Sequence, residues 1–294
     1  IVSHINGYLF DAPDMFINSR GGALHGYPPI VQGNKPWDGG YLILSAEERN
    51  EFLTKHPESE KYIKPFIGSY EFINGKERYC LWLKGVSPTE YRGIPEVMER
   101  LKGVADIRRK TKTVAVQVQA ETPMLFSQIR QPDSNYLAIP EVSSEKRRYI
   151  PIGFMTPNII ASNKLYLVPK ADLYMLGVMI SNVHMAWMRA VCGRLKSDYS
   201  YSPAVYNNFP WPIPTEAQKA KIEQTAQAIL DARALYPDCS LADLYDEIAM
   251  PPELRKAHQQ NDRAVMQAYG FDVATTTETS CVAELMRMYQ KLVE

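Results

Sequence analysis

Lys196 and Asp198 stand two residues apart in GRLKSDYSYS, directly after Gly193, which stops a helical pattern. If the segment is extended, both side chains point the same way. Lysine there can donate to guanine O6 and N7, and aspartate can orient it or accept from cytosine N4. The same two residues can equally be a surface ion pair of little weight. A second group, Glu141 with Lys146, Arg147 and Arg148, lies in EVSSEKRRYIP. Its cations suit phosphates and its carboxylate suits cytosine N4, although a solvated hairpin loop carries such residues too. Ser162-Asn163-Lys164 falls between two strand halves. Asparagine can bond adenine twice and lysine can reach guanine, but Asn is also an ordinary turn residue. Arg108-Arg109-Lys110 close a helical stretch, where positive charge suits the helix dipole in any case.

Catalytic sets are missing from the sequence. No GxGxxG loop, Walker A loop or GxSxG elbow occurs. Tyr27-Pro28-Pro29-Ile30 lacks the polar first residue and aromatic last residue of a base-gripping loop. No acid–x–Lys triplet exists, and His4, His25, His56, His184 and His258 make no HxxxH pair. A hidden active site would need a cluster such as Asp11, Asp14 and His25, formed only if the Gly/Pro-rich start folds onto another surface. Cys80, Cys192, Cys239 and Cys281 form no CxxC pair, which argues against a zinc site or disulfide framework and favours the reducing cytoplasm. The 294 residues have zero net charge, but residues 1–85 carry −1, 86–212 carry +6 and 213–294 carry −5. A basic middle between acidic flanks points to a local anionic partner. No apolar run of about 18 residues predicts a membrane span. The start, IVSHINGYLF, has neither Met nor a signal peptide and reads as a cut from a longer protein.

The elements that must position these residues read as follows. Residues 1–40, rich in Gly, Pro and aromatics, predict an extended linker. GGYLILS predicts a short strand, and Ser45 with Glu48 a capping box that starts a helix. YEFINGKERYCLWLKG predicts a hairpin turning at Asn74-Gly75. Ser87 to Lys110 predicts helix, and TVAVQVQA a half-buried strand through Val114, Val116 and Val118. NYLAIPEV, RYIPIGF and IIASNKLYLV predict strands, and Ala171 to Cys192 a helix. The prolines of YNNFPWPIP break the chain before four capped helices. The expected fold is α+β: a mixed, mainly antiparallel sheet with helices over 41–209, then a helical bundle over 210–294.

GNKPWDGGYLILS, IKPFIGSYEFINGKERYCLWL, IPIGFM, GRLKSDYSYS, VYNNFPWP and NDRAVMQAYGF, in this order, resemble the C-terminal half of MmeI-like enzymes. These are single-chain type IIG/IIL restriction–modification proteins and related YeeA-like methylases. The resemblance implies a target recognition domain plus a helical C-terminal domain, with an adenine-N6 methyltransferase domain missing from the N-terminal side in cis. It implies double-stranded DNA as partner, S-adenosylmethionine as cofactor of the parent protein, and no cofactor in this fragment. It also implies base-reading positions at Glu141 with Asn163, Lys164 with Ser200, and Lys196 with Asp198, the last pair in its guanine-reading version. Arg108, Arg109, Lys110, Lys112, Arg147, Arg148 and Arg194 would then hold the DNA backbone. The competing expectation is a protein-interaction scaffold whose basic patch is incidental.

Overall fold

Ser45 ends an extended stretch, and its hydroxyl accepts from the Glu48 amide at 3.1 Å while Glu48 accepts from the Ser45 amide at 2.8 Å. Helix α1 (Ala46–Lys55) therefore begins where the capping box places it. A computed structural model describes residues 5–8, 16–18 and 20–294. The chain divides into two compact units, each assembled from more than one stretch of the sequence. The smaller unit comprises Gln32–Ser134 with Thr156–Leu165; the larger comprises Ile1–Val31, Asn135–Met155 and Tyr166–Glu294.

The first strand, β1 (Val31–Gln32), ends at the start of the smaller unit. That unit holds a sheet in the order β2 (Ile43–Leu44), β4 (Tyr79–Leu81), β3 (Ile63–Ile67), β8 (Ile160–Ala161). Only β3 and β8 run parallel, with Phe66 opposite Ile160 and Ile67 opposite Ala161. Leu42, Leu44, Phe52, Cys80, Leu81 and Val104 fill its core. Two expectations are corrected here. Residues 69–74 form helix α2 (Ser69–Asn74) and not a hairpin arm, and β4 pairs with β3. Gly75 does adopt the left-handed conformation an Asn-Gly turn needs (φ 60°), but it spends it on the α2 C-cap. After α3 (Pro88–Tyr91) and α4 (Pro95–Lys110), the valine-rich stretch is helix α5 (Val114–Val118) and not a strand. The three valines do not share a face as a strand would require: Val114 and Val118 are exposed and Val116 is buried. Among the described residues no strand pairs with it, and the Thr113 carbonyl takes the amides of Val116 and Gln117.

In the larger unit, β9 (Leu165–Pro169), β5 (Tyr136–Pro140) and β7 (Gly153–Met155) lie side by side, every residue of β5 buried. A second sheet orders β10 (Gly193–Leu195), β11 (Asp198–Ser200) and β6 (Val142–Ser143). The predicted helix over 171–192 is two helices, α6 (Leu173–Met179) and α7 (Asn182–Val191). Ser181 breaks it: its hydroxyl donates to the Val178 carbonyl at 2.7 Å and accepts from the His184 amide at 3.3 Å. After α8 (Pro203–Asn207), α9 (Glu216–Ala234), α10 (Leu241–Leu244), α11 (Pro252–Ala268) and α12 (Glu278–Val293) share one core with β5, β7 and α7.

Residues 20–30, read above as linker, lie against the proline-rich connector. Asn207 donates to the Arg20 carbonyl at 2.9 Å, Tyr206 donates to the Pro28 carbonyl at 2.7 Å, and the Trp211 ring sits 4.2 Å from Tyr27. His25 belongs to this aromatic cluster, 4.8 Å from the Tyr206 ring. Burial lowers its pKa to about 4, against a small opposing pull from the Tyr206 carbonyl. Asp11 and Asp14, the acids considered beside it, lie outside the described residues. All four cysteines are free thiols: Cys80 and Cys281 buried, Cys192 half-buried, Cys239 exposed. No helix among the described residues is long and apolar enough to cross a membrane.

Candidate nucleic-acid interface

GRLKSDYSYS folds as a tight hairpin, with Leu195 opposite Asp198 and Arg194 opposite Tyr199. Lys196 and Ser197 make the turn, so the extended reading is corrected: Lys196 is at the tip and Asp198 on the returning strand. Lys196 has φ 56°, a left-handed conformation that a lysine takes only at a cost. Its side chain is exposed, and no ion pair joins it to Asp198. Asp198 instead accepts from the Glu145 amide at 3.3 Å, tying the hairpin to the loop after β6. β11 pairs with β6 through Tyr199 opposite Ser143 and Ser200 opposite Val142. Asp198 and Ser200 therefore share one face of the strand, while Tyr199 is buried on the other. The Glu141 carbonyl accepts from the Tyr201 amide at 2.8 Å, which places Glu141 at the end of the same sheet.

Asn163 and Lys164 belong to the smaller unit, on the turn that follows β8. The turn's main chain is tied at nearly every position. The Ser162 amide donates to Ile67 at 2.7 Å, the Asn163 amide to Asn34 at 2.8 Å, and the Leu165 amide back to Ser162 at 2.9 Å. The Lys164 amide donates to the Ser162 hydroxyl at 3.1 Å, Gln32 donates to the Asn163 carbonyl at 2.9 Å, and Ser69 donates to the Lys164 carbonyl. The backbone of the turn is thus held from both sides, while the Lys164 side chain is exposed and that of Asn163 half-buried. Asn34, Gln32 and Ser69 carry no recognisable signal as buttresses in the sequence.

Of the cations expected on a DNA backbone, Arg108 is corrected. It is fully buried, and its guanidinium donates to five main-chain carbonyls: Trp37, Gln119, Thr122, Pro36 and Leu125, at 2.7–3.1 Å. Burial lowers its pKa, opposed by the Asp38 carboxylate. Such a group cannot reach a phosphate. Arg109 is exposed and pairs with Asp106 at 3.3 Å and Glu121 at 3.7 Å; Lys110 and Lys112 are exposed. In the larger unit, Arg194 stacks over the Tyr199 ring at 4.1 Å and lies 4.0 Å from Glu145. Arg147 is half-buried, its pKa lowered by burial and held up by the charges of Asp198 and Asp246. Arg148 is exposed, 5.6 Å over the Tyr149 ring.

These turns, with the sheets and helices beneath them, can be set beside known proteins. The family model described as "MmeI, target recognition domain" matches residues 11–213, and "MmeI, C-terminal domain" matches residues 214–294. The chain belongs to the MmeI family. DNA methyltransferase A of Bacillus subtilis (strain 168) is 37% identical over 295 residues, a match that takes in 100% of this chain and 33% of that protein. The solved structure of the type IIL restriction–modification enzyme MmeI in complex with DNA is 46% identical, with a TM-score of 0.95 over 99% of this chain and 39% of that one. The chain therefore spans about a third of the length of these relatives. Its antiparallel sheets with a helical C-terminal part are the fold of the MmeI recognition region.

S-adenosylmethionine, the cofactor that methyltransferase relatives imply, does not fit the strand–glycine–helix junction of the smaller unit, β3–Gly68–α2. A side-chain carbon added at Gly68 would meet the Ser162 hydroxyl at 2.7 Å and the Glu71 carboxylate at 2.9 Å. Glu71 also accepts from the Gly68 amide at 2.8 Å. The donors at that helix start are already taken by an acid of the chain itself.

Proposed function

We propose that this chain is the sequence-reading part of an adenine-N6 DNA methyltransferase that acts on double-stranded DNA in the cytoplasm. Its catalytic, S-adenosylmethionine-binding domain lies N-terminal in the same polypeptide, and the chain by itself performs no methyl transfer. The observation that carries this reading is the hairpin tip: an exposed lysine, with no acid in ion-pair distance among the described residues, held in a left-handed turn. Backbone strain of this kind persists where a side chain has to be presented in one place. The likeness to a protein solved with DNA supports it. Glu141, Asn163, Lys164, Lys196, Asp198 and Ser200 read base edges, and Arg109, Lys110, Lys112, Arg147, Arg148 and Arg194 hold phosphates.

The test is the double exchange Lys196→Glu with Asp198→Arg in the full-length protein. The preferred base at one target position is expected to change from guanine to cytosine while the others stay fixed. Such a contact carries about 1–3 kcal/mol of discrimination. Sequencing of the modified sites reads the outcome. If that position is unaltered, the hairpin is a structural element and the reading fails.

A further inference from the structure

Arg130 was not among the residues singled out from the sequence. It sits in the smaller unit at the end of the LFSQIRQP segment, without any motif around it. Its amide donates to the Asn34 side-chain oxygen at 2.7 Å. The main-chain carbonyl of the same Asn34 receives the Asn163 amide at 2.8 Å. Asn34 is fully buried, and its side-chain nitrogen donates to the Ala161 carbonyl at 2.8 Å and to Gln131 at 2.9 Å. Gln131 in turn donates to the Ile159 carbonyl at 2.9 Å and accepts from the Ala161 amide at 3.1 Å. The Arg130 backbone is thus laced to the Asn163-Lys164 turn through one buried residue, whose side chain takes the Arg130 amide and whose main chain takes the Asn163 amide. The guanidinium itself is exposed and has no acid within ion-pair distance among the described residues.

We propose that Arg130 is a phosphodiester anchor for the Asn163-Lys164 turn, with Asn34 as the positioning residue that sets the spacing between them. A buried polar network fixes both backbones before any ligand arrives, which lowers the ordering cost of binding. Guanidinium matches a phosphate oxygen pair in a bidentate fork. Anchoring a phosphate next to a base-reading turn fixes the register of the turn on the duplex while carrying no sequence information itself. The inference rests on the reading that Asn163 and Lys164 face DNA.

The experiment measures binding of the full-length protein to target and scrambled duplex oligonucleotides from about 50 to 200 mM salt. Arg130→Gln should weaken binding to both duplexes by the same factor and reduce the salt slope by about one unit. Its base preference should be unaltered, and so should its thermal unfolding. Arg92→Gln, which removes an exposed charge elsewhere in the unit, should leave the slope as it is. An unchanged slope in Arg130→Gln, or an equal drop in Arg92→Gln, would overturn the anchor. Asn163→Ala tests the underlying reading separately: a shifted base preference there, with an unchanged slope in Arg130→Gln, refutes the anchor and leaves the reading standing.

Discussion

Arg108→Ala is expected to destabilise the smaller unit by about 3–5 kcal/mol, because five main-chain carbonyls would each lose a hydrogen bond from the buried guanidinium and its volume would be left empty. The carbonyls come from residues 36–37 and 119–125, so the guanidinium ties these two segments together. Lysine should rescue little of the loss, since three donors on one point cannot span the cage that the planar fork reaches. Arg108→Met restores volume without donors and should recover only that part of the loss. Urea unfolding followed by a signal from the smaller unit decides it. A midpoint within about 0.5 kcal/mol of the parent for Arg108→Ala, the scatter of ordinary surface changes, would show that water replaces the cage bonds at no cost.

Acidification should weaken the larger unit well before ordinary carboxylates titrate. His184 is fully buried, and burial lowers its pKa to about 4. His258, equally buried and stacked 4.1 Å from Tyr149, is pushed well below the usual value by burial, with Arg233 and Arg148 adding to it. The unfolded chain protonates both from pH 6.5 downward while the folded chain does not, so stability falls with pH below 6.5. For His184 the loss is about 2 kcal/mol by pH 5. His258 acts in the same direction. Asp262 opposes them. It is 6% exposed, accepts from the Tyr149 hydroxyl at 2.6 Å and the Asn182 amide at 2.8 Å, and burial raises its pKa to about 6. It therefore takes up a proton in the folded state first and returns about 1 kcal/mol by pH 5. The melting temperature is expected to drop between pH 7 and 5, and to drop more steeply in Asp262→Asn, which lacks the offset. A flat profile in both proteins would mean that the two histidines exchange protons with solvent in the folded state.

Arg108 shows what was legible and overlooked. Val97, Leu101, Val104 and Ala105 are the buried face of α4, and position 108 falls on the same stripe at helical spacing, whereas 109 and 110 do not. The triplet of positive charges drew attention outward, although the periodicity pointed one of the three inward. The capping boxes, the break at the prolines and the C-terminal helices follow from short-range chemistry and could be read directly. Gly75 shows the opposite case: the sequence announces a left-handed residue, but whether it turns a hairpin or ends a helix is decided by which strand β4 finds. The Lys196 turn and the buttresses of the Asn163-Lys164 turn were illegible for the same reason. Asn34, Gln32 and Ser69 come from remote segments: the parallel pairing of β3 with β8 brings Ser69 to that turn, and a separate bridge between Asn34 and Ser162 brings Asn34 and Gln32.

The distribution of free thiols has a practical consequence. Cys239 is exposed, whereas Cys80 lies in the core of the smaller unit and Cys281 in that of the larger. Burial also raises both buried thiols, Cys281 to about 12, so neither offers a thiolate while its unit is closed. An alkylating reagent will mark Cys239 at once, Cys192 more slowly, and the other two only when their cores open. Mass spectrometry of the labelled peptides then gives two opening rates from one native sample, with no substitution introduced. The order in which Cys80 and Cys281 take up label is the order in which the two units come apart.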